Sequence, residues 1–122
     1  MRHLDLADLQ LAARLALGAE MEVRDWGLIE SALARPQATA FGEDAYSSLW
    51  EKAGALMHSL VRNHALVDGN KRVGLTACAL LLFKNDVTLT FDQDEMYDLV
   101  IAVAEGRMDV PEIAQSLQRW GQ

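Results

Sequence analysis

The chain has 122 residues and a formal net charge of −7, and these two numbers already exclude several classes of protein. The length is that of an average domain and predicts one domain spanning residues 1–122. Hydrophobic residues make up 51% of the chain and charged residues 24%, which favours a folded protein over a disordered one. Because the balance is acidic, we expect no direct binding to nucleic acid.

Signals for disulfides, export and membranes are also missing from the sequence. Cys78 is the only cysteine, which excludes an intrachain disulfide and a zinc site built from cysteines. Residues 1–5 contain an early acid and no long apolar run, so no signal peptide is expected. The longest nearly apolar stretch, 73–83, is far shorter than the ~20 residues of a membrane span. These features predict a soluble, cytoplasmic protein.

Two helices are indicated in the first third of the chain. Asp5 can cap a first amphipathic segment, which Gly18 would end. Asp25 can cap a second and shorter segment, which Pro36 would end.

The two helices in the middle of the chain have the strongest patterns. Apolar residues recur at helical spacing from Tyr46 to Val61, and this third helix should end near Asn63. The stretch 72–83 is apolar on every side, which predicts a buried central helix covered by its neighbours.

Towards the C-terminus, residues 87–91 form a short candidate for an extended segment. Asp92 and Gly106 bracket a fifth helical pattern, and Asp109 with Pro111 opens a sixth. Six helices with short connections predict an all-α, bundle-like domain. Most of the other residues that could take part in catalysis or binding are better interpreted as packing residues. His58 is interpreted as packing or surface, Cys78 as a buried hydrophobe, and Trp26, Trp50 and Trp120 as core anchors.

The segment 64–72, His-Ala-Leu-Val-Asp-Gly-Asn-Lys-Arg, is unusual for a connection between helices. A Gly-Asn turn that leads directly into a helix leaves several backbone N–H groups unpaired. Together with the positive end of the helix dipole, these groups form an anion pocket. Gly69 would let the backbone approach a phosphate closely, and Lys71 and Arg72 would add positive charge.

Two further residues extend this pattern towards a transfer reaction. Asp68 beside phosphates would repel them unless it held a divalent cation, and Mg²⁺ suits one carboxylate combined with phosphate oxygens. His64, four residues earlier, could accept the proton of an attacking hydroxyl. A plainer interpretation is that the histidine and the Asp-Gly-Asn turn only end one helix and that the two cations are surface charge. From the residues alone, the plainer interpretation is favoured.

At this segment the sequence resembles the Fic/Doc family, whose signature is His-x-Phe-x-(Asp/Glu)-Gly-Asn-(Gly/Lys)-Arg. Residues 27–37, 51–60 and 104–106 are also similar to segments of that family, so the resemblance covers nearly the whole chain. It implies an all-α Fic/Doc-like fold with the active loop between the third helix and a buried central helix. It also reverses the preference for the plainer interpretation.

Two departures are similar to the Doc (death-on-curing) branch, the toxins of Phd–Doc toxin–antitoxin pairs. Lys71 and Leu75 stand where adenylyl-transferring members usually carry Gly and Arg. This resemblance implies an ATP-dependent protein kinase that phosphorylates a threonine of elongation factor Tu and blocks translation. It further implies these roles: His64 as general base, Asp68 as Mg²⁺ ligand, Gly69 and Asn70 as the anion cradle, and Lys71 and Arg72 as phosphate clamps.

Control of the activity is expected to come from a second protein. Many Fic proteins contain an inhibitory Ser/Thr-x-x-x-Glu-(Gly/Asn) helix, and this sequence has none. The resemblance therefore implies a Phd-like antitoxin whose C-terminal segment folds as an amphipathic helix in a groove. The acidic surface predicts basic residues at the rim of that segment.

Three alternatives remain open at this point. An adenylyltransferase acting on a protein hydroxyl is compatible with the intact His, Asp, Gly, Asn and Arg of the signature. A non-catalytic module that only binds the antitoxin predicts that His64→Ala leaves growth inhibition unchanged. A helix-turn-helix DNA reader fits poorly, because the chain is acidic and contains no basic helix.

Overall fold

A computed structural model describes residues 1–122 and confirms the predicted all-α fold of six helices. The elements in chain order are α1 (Leu6–Leu17), α2 (Trp26–Ala34), a 3₁₀ turn (Arg35–Gln37), β1 (Thr39–Ala40), β2 (Glu43–Asp44), α3 (Leu49–Arg62), α4 (Asn70–Lys84), α5 (Gln93–Ala104) and α6 (Val110–Trp120). None of these helices has the length and apolar character needed to span a bilayer.

Side-chain caps set most of the helix starts that the sequence predicts. Asp5 accepts a hydrogen bond from the Asp8 backbone, and Asp25 and Asp92 cap α2 and α5 in the same way. The predicted start of α3 at Tyr46 is wrong. Ser48 accepts from the Glu51 backbone N–H at 3.1 Å, so the helix begins after it and Tyr46 lies in the preceding loop.

Helix α3 lies at the centre of the fold. It packs against α2, α4, α5, α6 and the 3₁₀ turn, and α4 packs between α3 and α1. The contact between α3 and α4 is close because a Cβ at Gly74 would lie 2.7 Å from Val61 Cγ2. Only six of the fifteen residues of α4 are buried, and Phe83 near its end is 67% exposed, so neighbours do not cover the helix all round.

The tryptophans only partly fulfil their predicted role as core anchors. Trp50 and Trp120 are half-buried and pack on the core cluster, and the Trp120 indole N–H donates to Glu95 at 3.3 Å. Trp26 is 53% exposed, so its prediction is wrong. Trp26 is the first residue of α2, and at a helix end the spacing of apolar residues does not show whether a side chain faces the core.

Two short extended pieces complete the fold. The antiparallel ribbon of β1 and β2 was not predicted, and its turn has positive φ at both Phe41 (55°) and Gly42 (80°), as a type I′ turn requires. Residues 87–91 do not form a regular strand, and only an isolated antiparallel bridge joins Leu89 to Gly121 near the C-terminus. Thr88 and Gln122 exchange two backbone hydrogen bonds, of 3.1 and 3.0 Å.

Arg35 joins the 3₁₀ turn to α3 through a partly buried network. Its guanidinium donates to the Tyr46 hydroxyl (2.9 Å), to His58 Nδ1 (2.9 Å) and to Ser59 Oγ (3.1 Å). An arginine can only donate, so His58 Nδ1 must carry a lone pair and the proton of the neutral ring is on Nε2. Burial, and then the charge of Arg35, lower the pKa of His58, while Asp109 opposes this shift. His58 is therefore part of a packing network, as the sequence predicted.

We expect the protein to lose stability as the pH falls from about 7.5 to about 5. The folded-state pKa of His58 is lowered, so over this range the unfolded chain binds a proton that the folded chain resists. His58→Asn keeps an acceptor near the Nδ1 position and cannot titrate, so the variant should show a weaker pH dependence of the free energy of unfolding.

Urea unfolding at several pH values measures this dependence. The pKa of His3 is also lowered, mainly by burial. The His3→Asn variant therefore measures how much His3 contributes to the pH dependence of the free energy of unfolding. A His58→Asn profile that is parallel to that of the unaltered protein would contradict the assignment.

Candidate functional site

The loop between α3 and α4 is held in place by the connection between α1 and α2. The carbonyl of Ala65 accepts from the backbone N–H groups of Arg24 (2.7 Å) and Asp25 (3.1 Å). In return, the N–H of Val67 donates to the carbonyl of Glu22 at 2.9 Å. Ala65 itself is buried, so the loop is packed as well as bonded. These contacts give the predicted active loop a defined backbone.

Asn70 closes the loop onto the first turn of α4. Its side-chain oxygen accepts from the Leu66 N–H (3.0 Å), and its side-chain nitrogen donates to the Leu66 carbonyl (3.1 Å). Leu66 is 1% exposed, so both of its backbone groups depend on this amide. The Asn70 side chain therefore shapes the loop, and its backbone N–H remains available to an anion.

Gly69 meets two separate demands where the loop joins α4. Its φ of +83° is a left-handed conformation that side chains rarely adopt. A Cβ at this position would also lie 2.6 Å from Leu17 Cδ2, at the end of α1. A side chain here would therefore strain the backbone and would also require the Leu17 side chain to move.

The start of α4 presents a group of unpaired donors. The first helical bond runs from Val73 N–H to the Gly69 carbonyl, and no acceptor in the chain meets the backbone N–H groups of Asn70, Lys71 and Arg72. The side chains of Lys71 and Arg72 are exposed and form no ion pair. Three N–H groups, two free cations and a helix dipole together make a site for an anion.

These donors form one wall of a cavity of about 620 Å³. Its polar wall is Asp68, Gly69, Asn70, Lys71 and Arg72. The facing wall comes from α4, α5 and the segment before α5: Leu75, Phe91, Gln93, Met96, Tyr97, Val100 and Ile101. The volume is that of a typical small-molecule site, and the two walls suit a ligand with one anionic end and one apolar end.

Sequence reasoning missed the apolar wall of this cavity. Met96 and Val100 of the predicted fifth helix are buried against the core. They also form part of the cavity, which only the packing of α5 against the start of α4 reveals. Tyr97, which is 66% exposed beside them, was the one signal available, since a large aromatic ring off the inward stripe is unusual.

Asp68 is the only carboxylate that lines this cavity. It is exposed, and its Oδ1 accepts from the Gly69 N–H at 2.8 Å. No group of three or more His, Cys, Asp or Glu side chains is placed to hold a metal ion. A lone carboxylate beside anion donors fits Mg²⁺, which keeps its waters and takes phosphate oxygens as ligands.

His64 lies at the opposite end of the same loop. It follows the end of α3 with a φ of +52°, and its exposed side chain has no hydrogen-bond partner in the chain. A left-handed histidine carries backbone strain of the kind that clusters at functional sites. His64 does not line the 620 Å³ cavity, although it belongs to the same loop as Asp68. The roles assigned to these six residues stay predictions.

Gly69→Ala should destabilise the protein more than Gly18→Ala. Both glycines have positive φ, but a Cβ at Gly18 meets nothing within 4 Å. Gly18→Ala should therefore cost about 1 kcal/mol for the backbone alone, and Gly69→Ala at least about 1 kcal/mol more for the clash with Leu17. Chemical denaturation measures the difference. Adding Leu17→Ala should lower the penalty at Gly69, and equal losses in the two glycine variants would contradict the close packing.

Asn70→Ala should weaken the loop, because it leaves two buried backbone groups of Leu66 without partners. We expect a loss of about 1–3 kcal/mol and faster hydrogen exchange of the Leu66 amide. Asn63→Ala is the matched control, since the Asn63 side chain makes no hydrogen bond. Exchange protection at Leu66 that survives Asn70→Ala would show that the amide is not what holds the loop.

Comparison with known proteins gives consistent matches. The sequence pattern of the Fic/DOC family matches residues 3–82. A protein named Toxin Doc from Mycolicibacterium smegmatis is 50% identical over 117 residues, which cover 94% of this chain and 90% of that protein. A protein named Protein kinase doc from Escherichia phage P1 is 31% identical over 122 residues, which cover 98% of this chain and 95% of that protein.

Proposed function

Because the chain belongs to the Fic/DOC family, we propose that it is the toxin of a toxin–antitoxin pair and acts as an ATP-dependent protein kinase. The observation that carries this proposal is the start of α4, where three free N–H groups, Lys71 and Arg72 line one cavity. The names of the two relatives, one a toxin and the other a protein kinase, support it.

The proposed reaction moves the terminal phosphoryl group of ATP to a threonine or serine hydroxyl of a target protein. The hydroxyl oxygen forms a new bond to the γ-phosphorus, and the bond from that phosphorus to the β–γ bridging oxygen breaks. ADP leaves with the electron pair of the broken bond, and His64 takes the hydroxyl proton. Such a reaction depends mainly on positioning and charge neutralisation.

The residues of the loop would divide this work between them. The N–H groups at the start of α4 would hold phosphate oxygens, and Arg72 would bind them in a forked geometry. Asp68 would hold Mg²⁺, which neutralises phosphate charge when it is bound. Asn70 would act through the loop, since its side chain is already bonded to Leu66.

Lys71 favours phosphoryl transfer over adenylyl transfer. Its exposed side chain lies on the cavity wall, at the position where adenylyl-transferring members usually carry a second glycine. The added cation would change the orientation of the nucleotide, so that the terminal phosphate of the nucleotide faces the attacking hydroxyl. An adenylyltransferase remains the second candidate, because the histidine, aspartate, glycine, asparagine and arginine of the signature are all present.

The target and the partner follow from the Doc resemblance. We propose a threonine of elongation factor Tu as the acceptor and arrest of translation as the result. We further propose a Phd-like antitoxin as the inhibitor, since the chain has no inhibitory helix motif of its own. The net charge of −7 suits an inhibitor segment with a basic rim.

The deciding experiment incubates the protein with elongation factor Tu, Mg²⁺ and ATP labelled in either the γ or the α phosphate. We expect transfer of the γ label only, and a decrease of about 10²–10⁴-fold in His64→Ala, because a positioned base contributes that much. His3→Ala is the matched control, since it makes the same substitution away from the loop and should retain activity.

Transfer of the α label would instead establish adenylyl transfer. Equal growth arrest by the unaltered protein and by folded His64→Ala would favour a non-catalytic binding module.

A further inference from the structure

The connection between α4 and α5 carries Phe91, an aromatic ring in the wall of the 620 Å³ cavity. Residues 88–91 form no helix and no regular strand, and all of their backbone hydrogen bonds run to Trp120 and Gln122. Thr88 exchanges two bonds with Gln122, and the Thr90 N–H donates to the Trp120 carbonyl at 2.7 Å. The position of this part of the wall therefore depends on residues 120–122.

The Trp120 side chain supports the Phe91 ring from behind. The two ring centroids are 6.1 Å apart and the ring planes meet at 52°, which lies within the range of favourable aromatic pairs. The Trp120 indole N–H donates to Glu95 Oε2 at 3.3 Å, in the first turn of α5. Trp120 does not line the cavity, so its ring can influence a bound ligand only through Phe91.

A second tryptophan holds residues 120–122 from the side of the core. A Cβ at Gly121 would clash with the ring of Trp50 in α3, so the backbone at this position lies directly against that ring. Trp50 and Trp120 both pack on the core cluster. Residues 120–122 therefore lie between α3 and the segment 88–91, and they fix the cavity wall relative to the core.

The two walls of the cavity would receive different ends of ATP. The free N–H groups, Lys71 and Arg72 hold phosphates at the start of α4, so the base faces the wall that carries the aromatic rings of Phe91 and Tyr97. Flat bases stack well on aromatic side chains.

We propose that Trp120 is a positioning residue for nucleotide binding, because it holds the Phe91 ring against the base of ATP without touching the nucleotide. This inference rests on the proposed function, since it requires ATP in this cavity. It adds a residue outside the cavity to those that set the affinity for ATP.

The test compares the binding of two probes by calorimetry in the presence of Mg²⁺: ATP, and inorganic tripolyphosphate, which has phosphates but no base. In Trp120→Ala we expect Kd for ATP to rise about 3–10-fold, the effect of losing one aromatic pair. Kd for tripolyphosphate should stay nearly unchanged, because the start of α4 is unaltered. Trp26→Ala is the matched control, since it removes a 53% exposed indole that does not line the cavity.

Two further variants test whether Trp120 acts through Phe91. Phe91→Ala should weaken ATP binding by a similar factor, and adding Trp120→Ala should then have little further effect, because the two residues share one interaction. Trp120→Phe keeps a ring beside Phe91 and loses the bond to Glu95, so it should bind ATP within about 2-fold of the unaltered protein. Phe91 is 37% exposed, so its removal leaves the core intact and keeps the test valid if Trp120→Ala fails to fold.

The outcomes separate this inference from the proposed function. No ATP binding by the unaltered protein overturns both. Unchanged ATP affinity in Phe91→Ala or in folded Trp120→Ala overturns the positioning role alone. Equal losses for ATP and tripolyphosphate, or fully additive losses in the double variant, also overturn that role. Kinase activity is tested separately by the labelled phosphates, because these binding measurements contain no target protein.

Discussion

The pair of hydrogen bonds between the Asn70 amide and the backbone of Leu66 is the interaction on which the candidate site depends. It folds the loop back onto the first turn of α4 and satisfies two buried groups that nothing else in the chain reaches. With the loop closed in this way, the N–H groups of the helix start remain unpaired and face a cavity instead of the loop. An asparagine suits this position, because its amide has both a donor and an acceptor.

The same loop brings the ends of several helices together. Helix α1 reaches Gly69 through Leu17, α3 ends just before His64, and the connection after α1 bonds to Ala65 and Val67. This convergence places positive and negative surfaces side by side. The start of α4 provides cations and free donors, whereas the connection after α1 provides Glu20 and Glu22. The overall charge of −7 describes neither surface, because a net charge averages over features that tertiary structure keeps apart.

Errors in the predicted fold occurred where local rules compete or do not apply. Tyr46 fits the apolar pattern of α3 but lies before the helix. The Ser48 hydroxyl caps the helix, so α3 begins at Leu49. Trp26 is apolar but begins a helix and points outward. The ribbon of β1 and β2 has only two residues in each strand, and Phe41 takes a turn position that glycine or asparagine usually fills. A strand of two residues is too short to give a recognisable sequence pattern.

The sequence alone determined the six helices, most of their ends and the nine-residue loop, because caps, glycines, prolines and apolar spacing act between near neighbours. It also indicated the family, since the loop signature lies in one continuous segment. Tertiary structure decided which side chains meet. The apolar wall from α5, the two glutamates beside Asp68 and the use of the Asn70 amide within the loop all depend on contacts between distant segments or on the closed backbone. Such contacts form only when helices pack, and the spacing of residues along the chain carries no record of that packing.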